Sequence, residues 1–339
     1  MFSTDSSQAA IVDCADPIST SLKRSAKESA LETNVLPYQN NITRREVREA
    51  WRGWTQALVD ISQTYKNEGF EAAEELAGAV IDGAYAYQLG AVAFKPTWAS
   101  GDTSFRTDRE GAISYFVGGN DDYDDLGYAI GSAPDPVTGE RSPWEDSWFD
   151  RSVRRFDGNT AIVQGLMYTE AEDGSVGYVD KTWGFQKDDF GNVRIVLHHS
   201  STPYETIEKP KDVKNHNVNN RNFKINNLIT EEEVLAAQDA WTDALVAISQ
   251  TNKNEGFDAA EELAGAVIDG AYGYDSGAVA FKPTWAYGDT TFRTDREGAI
   301  SYFVGGNDDY DDLGYAIGNV PNKKGKRSPW ADAWTENAV

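Results

Sequence analysis

"TAIVQGLMYTEAEDGSVGYVDKTWGFQKDDFGNVRIVLHHSST" occupies residues 160–202. Three runs rich in β-branched and aromatic residues are separated by "EDGS" (172–175) and "DDFGN" (188–192), whose Gly, Asp and Asn are the residues of tight turns. This predicts three antiparallel strands in a meander. On the last run, alternation groups Val193, Ile195, Leu197, His199 and Ser201 on one face and Arg194, Val196, His198 and Ser200 on the other. The first set is the more apolar, so it is expected to face the core and to carry His199 and Ser201 inward at the strand's end.

Upstream the period changes to that of a helix. Thr43 with Glu46 reads as a capping box, and Val47, Ala50, Trp51, Trp54, Leu58 and Ile61 follow on one stripe. A second stripe runs from Phe70 through Ala73, Ala77 and Ile81 to Ala84, and Gly90 separates it from a short strand in "AVAFKPTW" (91–98). Thr107 with Glu110 predicts the cap of a third helix, through Ile113, Phe116 and Val117 to Gly118 and Gly119. Helices gathered on one face of a curved antiparallel sheet make an α+β, cone-like fold with a pocket between the layers.

Much of this unit is written twice. At an offset of 187, Ile42 to Gly131 aligns with Ile229 to Gly318, and 16 of the 90 positions differ. The expected organisation is an N-terminal flank (1–41), a complete cone (42–204), a polar, Asn-rich linker (205–227) and a second repeat (228–339). That repeat keeps the helices and the short strand but lacks the long strands, so its apolar helix faces have no sheet of their own and it should not fold alone.

Composition excludes several function classes. With 55 acidic and 31 basic residues the net charge is −24, which repels nucleic acid and anionic membrane surfaces. One cysteine, Cys14, excludes an intrachain disulfide framework and a cysteine-based zinc site. Residues 1–41 lack the apolar segment of a secretory signal and carry Asp5, Asp13, Asp16, Glu28 and Glu32, unlike an acid-poor transit peptide. The compartment is therefore not legible here.

Metal and nucleophile motifs are weak. The three histidines are His198, His199 and His216; the last lies in the linker, and adjacent strand residues point to opposite faces, so a three-histidine zinc site is not expected. Asp121, Asp122, Asp124 and Asp125 in "NDDYDD" offer oxygen ligands suited to calcium or manganese but lack the glycine and distal glutamate of an EF-hand, which favours a solvated acidic loop. No G-x-S-x-G elbow accompanies Ser200 and Ser201, and no phosphate loop is present.

"FKPTW" (94–98), "GAISYFVGG" (111–119) and "VLHHSSTPY" (196–204), in this order across one repeat, resemble the iota-class carbonic anhydrases. That class belongs to the nuclear-transport-factor-2-like superfamily and is similar to the calcium/calmodulin-dependent protein kinase II association domain. The resemblance spans about residues 42–204 and implies reversible hydration of carbon dioxide to bicarbonate. In that class some members work without a metal, whereas others have been associated with manganese. An algal source would imply a plastid. It points to Thr97, Tyr115, His199 and Ser201 as catalytic residues, with no metal cofactor. Trp98, Phe116 and Leu197 are apolar neighbours suited to hold carbon dioxide. Without a metal to prepare hydroxide, proton removal must accompany attack, and a histidine can take that proton at neutral pH. The residues leave open whether His199 is the base or orients Ser201. Cone modules often pair through the open face of the sheet, so a homodimer is expected. The alternative function is a non-enzymatic cone module for oligomerisation or small-ligand binding.

Overall fold

The computed structural model describes residues 41–204 and 229–335. The flank preceding residue 41 and the linker at 205–227, with Cys14 and His216, lie outside the described residues. The first segment folds as helix α1 (Arg44–Glu68), helix α2 (Phe70–Ala84), strand β1 (Ala93–Lys95), helix α3 (Arg109–Val117) and strands β2 (Trp144–Asp157), β3 (Thr160–Ala171), β4 (Val176–Lys187) and β5 (Val193–Ser201). One five-stranded sheet results, in the order β1-β5-β4-β3-β2. β2 to β5 run antiparallel to their neighbours, and β1 adds parallel to β5. This is a mixed α+β fold.

The capping box of α1 forms as its sequence dictates: Thr43 Oγ1 accepts the Glu46 N–H at 3.2 Å, and the Glu46 carboxylate accepts the Thr43 N–H at 2.8 Å. Its apolar stripe then meets the sheet, with Trp51 against Phe149 (5.5 Å between ring centroids) and Trp54 edge-on to Trp183 (5.4 Å). The third helix is capped one residue later than expected. Asp108, not Thr107, accepts the Gly111 N–H at 2.8 Å, and its carboxylate also meets the positive end of the helix dipole.

Strand β2 was not legible. Phe149 faces the core, but Val153, paired with Gln164, lies on the opposite face, and Glu145, Asp146, Asp150, Arg154 and Arg155 dilute the pattern. Register shifts between Trp144 and Asp146 and between Arg151 and Val153 break its period of two. The last strand holds a third irregularity. Gly184 pairs with Leu197 while the next residue, Phe185, pairs with Ile195, so β5 spends two residues against one of β4. This bulge reverses the parity of every later side chain.

The second segment forms α4 (Glu231–Glu255), α5 (Phe257–Ala271) and α6 (Arg296–Val304) around Leu245, Ile248, Ala264, Ile268, Tyr302 and Phe303. Its expected short strand at 278–282 is not formed. In the first segment that stretch is held by its ladder to β5, and among the described residues the second segment has no strand to offer one. No described helix is long and apolar enough to cross a membrane.

Candidate active site

The bulge decides which residues of β5 reach the interior. Ile195 faces inward before it; after it His198 and Ser200 do, at 0% and 1% exposure. Leu197, His199 and Ser201 take the outer face, His199 being exposed. The expectation that simple alternation carries Leu197, His199 and Ser201 into the pocket is thus corrected, because alternation counted from Ile195 holds only until an extra residue is inserted. The signal was Gly184, a glycine inside a strand pattern. A Cβ there would stand 3.0 Å from Leu197 Cβ, so the bulge needs this close backbone approach.

Residues that sequence reasoning did not single out surround His198. Trp54 Nε1 donates to Tyr85 Oη at 2.9 Å, and Tyr85 Oη lies 2.7 Å from His198 Nδ1. On the other side of the ring Lys181 Nζ lies 2.8 Å from Nε2. The ring stacks on Phe94 (4.5 Å, 9°) and meets Trp54 edge-on. Tyr85 Oη, which also accepts from Trp54, and Lys181 Nζ thus occupy the two ring nitrogens of His198, one of which carries the ring proton. Burial pushes Lys181 well below the usual lysine range and, as the largest cause, holds His198 well below its ordinary value. Lys181 had its own signal in "VGYVDKTWGF", where it shares a face with Val179, Trp183 and Phe185. A lysine on an otherwise apolar strand face is either misassigned or functional.

A hydroxyl cluster adjoins this pair. Ser200 stands across the ladder from Lys181, and its Oγ lies 2.5 Å from Thr97 Oγ1. Thr97, just beyond β1, also gives its backbone N–H to Tyr115 Oη at 3.3 Å. Tyr115 is therefore free to donate its own proton, and burial keeps that phenol protonated by raising its pKa. Thr97 and Trp98 are only partly buried, which leaves the cluster open toward solvent. Trp98 packs edge-on to Tyr128, which stacks on Tyr115 at 5.6 Å. Phe116 sits deeper, between Phe94 and Trp54. The structure thus brings Thr97, Tyr115, Trp98 and Phe116 together around one end of the sheet, and it separates His199, Ser201 and Leu197 from them.

The acidic loop does other work. Asp125 accepts from the buried Arg106 at 2.8 Å and from Ser114 at 2.7 Å, whereas Asp121, Asp122 and Asp124 are exposed. Among the described residues no three His, Cys, Asp or Glu side chains are placed to hold a metal ion.

In the second segment Thr284 and Tyr302 match Thr97 and Tyr115, and Trp241 donates to Tyr272 at 3.0 Å as Trp54 does to Tyr85. Its described residues supply no counterpart of Lys181, His198 or Ser200.

A curated metal-independent carbonic anhydrase from Nostoc sp. is 39% identical over 199 residues, covering 58% of this chain and 87% of that protein. A crystal structure of the iota-carbonic anhydrase from a cyanobacterium, complexed with bicarbonate, is 41% identical, covers 51% of this chain and 99% of its own, and has a TM-score of 0.47. A putative calcium/calmodulin-dependent protein kinase II association domain from Xanthomonas campestris is 21% identical over 51% of this chain and all of its own, with a TM-score of 0.32. The family model described as metal-independent carbonic anhydrase matches residues 45–202 and again 232–339, and with most of its length so covered the chain belongs to the metal-independent carbonic anhydrases.

Proposed function

We propose that the reversible hydration of carbon dioxide by this carbonic anhydrase takes place in the first segment, between the hydroxyls of Thr97, Tyr115 and Ser200 and the Lys181–His198 pair. The observation that carries this reading is a buried amine 2.8 Å from a buried imidazole nitrogen, beside three convergent hydroxyls. The reaction needs no metal cofactor, in keeping with the family.

Carbon dioxide lies against Trp98 and Tyr128, close to a water held by the hydroxyls. The water oxygen attacks the carbon while its proton passes to the Lys181–His198 pair, so hydroxide is never formed in advance. Charge develops on the former carbon dioxide oxygens, where Tyr115 and the free proton of the Thr97–Ser200 pair donate to it. The product is bicarbonate, and the protonated base returns its proton to solvent. Here the Lys181 amine donates to Nε2 and takes the water proton on its free lone pair, and its burial keeps it a weak enough base to release that proton near neutral pH.

Stopped-flow hydration by the full chain after metal chelation tests this. Turnover is expected to survive chelation, and Ser200→Ala to lower kcat about 10²-fold, the usual loss for one oxyanion donor. Full activity in Ser200→Ala would remove the hydroxyl cluster from the mechanism. The pH profile is a second check. Because the base pair is titrated from below, kcat/KM should fall only toward acid, with its limb well under lysine's ordinary value of about 10.4. No alkaline limb is expected below about pH 10, since burial raises rather than lowers the Tyr115 phenol.

The tandem arrangement reads as one complete cone, residues 42–204, with three helices on its sheet, followed by a second repeat (228–339) that keeps half of the site. The non-enzymatic role is assigned to that second repeat. Homodimerisation is assigned to the end of the sheet's outer face where Trp148, the half-buried Tyr168 and Tyr178 stack in a row whose two outer rings are exposed.

A further inference from the structure

Lys282, in the second segment, reaches the outer face of the first segment's sheet. Its Nζ lies 3.0 Å from Asp180 Oδ2, and the two side chains are 9% and 4% exposed. Asp180 immediately precedes Lys181 on β4, and alternation sends Lys181 inward as it sends Asp180 outward. Across the ladder Asp180 stands opposite Ser201 and Lys181 opposite Ser200. One residue of the second segment therefore holds the strand at the position next to the base. The matching residue of the first segment, Lys95, lies on β1 opposite His199, two strands away from β4.

The contact between segments is also formed where their otherwise near-identical sequences differ. Tyr287, where the first segment has Ser100, sets its ring 6.5 Å from that of Tyr204. Gly273, where the first segment has Ala86, lies by Arg155, whose Nη1 is 3.4 Å from the place a Cβ would take.

We infer that Lys282 is a positioning residue for the first segment's site: by pairing with Asp180 from the outer side, it fixes the β4 backbone and with it the aim of Lys181 at His198. The inference depends on the Lys181–His198 pair being the base proposed above. A carboxylate at this depth without its cation must draw in water or a proton, and either moves the strand. A displacement of about 1 Å at a catalytic group is enough to cost about 10²-fold in rate.

The test uses the full chain and carbon dioxide hydration at varied substrate concentration. Lys282→Met is expected to lower kcat by about tenfold to a hundredfold with KM changed far less, because aim rather than substrate binding is lost. Lys282→Arg should keep most of kcat, and Lys282→Met combined with Asp180→Asn should regain much of it, since no unpaired charge is then buried. Wild-type kcat in Lys282→Met, with Lys181→Met inactive, overturns the inference and leaves the base pair standing. Activity surviving in Lys181→Met overturns the base pair, and this inference with it. Should Lys282→Met not fold, Lys282→Gln decides: a severalfold drop in kcat supports the role, and an unchanged kcat overturns it.

Discussion

Lys181→Met is expected to lower kcat/KM by about 10³-fold, within the range a general base contributes, and to leave the fold in place. The amine is 1% exposed, with Nζ 4.6 Å over the Trp54 ring and close to Tyr128 and Trp183. Two stability effects oppose each other. Relief from burying an amine is worth about 1–3 kcal/mol, and leaving His198 Nε2 without its hydrogen-bond partner costs about as much. Methionine also fills the space between the rings. The melting temperature should therefore stay within about 4 °C of wild type, given about 2–4 °C per kcal/mol for a unit of this size. Stopped-flow hydration and calorimetry on the same preparation measure both quantities. A variant that keeps more than about a third of wild-type turnover would show that the proton leaves by another route.

The two adjacent histidines should behave oppositely. His198→Ala removes a ring stacked on Phe94 and edge-on to Trp54, and it strands the Tyr85 hydroxyl. The cavity and the lost hydrogen bond together are expected to cost about 3–5 kcal/mol, or about 10 °C in melting temperature. Activity should fall about 10³-fold, because Lys181 loses the partner that holds its amine. His199→Ala, on the exposed side of the strand, should change rate by no more than about twofold, as surface substitutions generally do. If His199→Ala instead abolished turnover while His198→Ala kept it, the inward assignment of His198 and Ser200 would be wrong.

How much was legible follows from the physics of each element. Helices announce themselves locally: the Thr43 capping box and the stripe from Val47 to Ile61 need no tertiary partner to be recognised, and both stand in the structure. The meander of β3, β4 and β5 was equally open, since turn residues and period lie within each run. Strand β2 was hidden because two register irregularities disturb its alternation and charged residues cover its outer side. The proposed site was half legible. Thr97, Tyr115, Trp98 and Phe116 were named from motifs and are brought together, whereas His198, Ser200, Lys181, Tyr85 and Trp54 were not.

The amino-acid sequence by itself determined the helices, the long hairpins, the duplication and the chemical stock of a proton acceptor with hydroxyl donors. Only the tertiary structure decided which half of "HHSS" faces that chemistry. Parity along a strand is a count, and one extra residue opposite Gly184 shifts the count in a way that shows only when β5 is laid against β4. The weakened basicity of Lys181 was decided there too, because a lysine falls well below its ordinary range only when rings such as those of Trp54, Tyr128 and Trp183, drawn from three distant parts of the chain, exclude water from it.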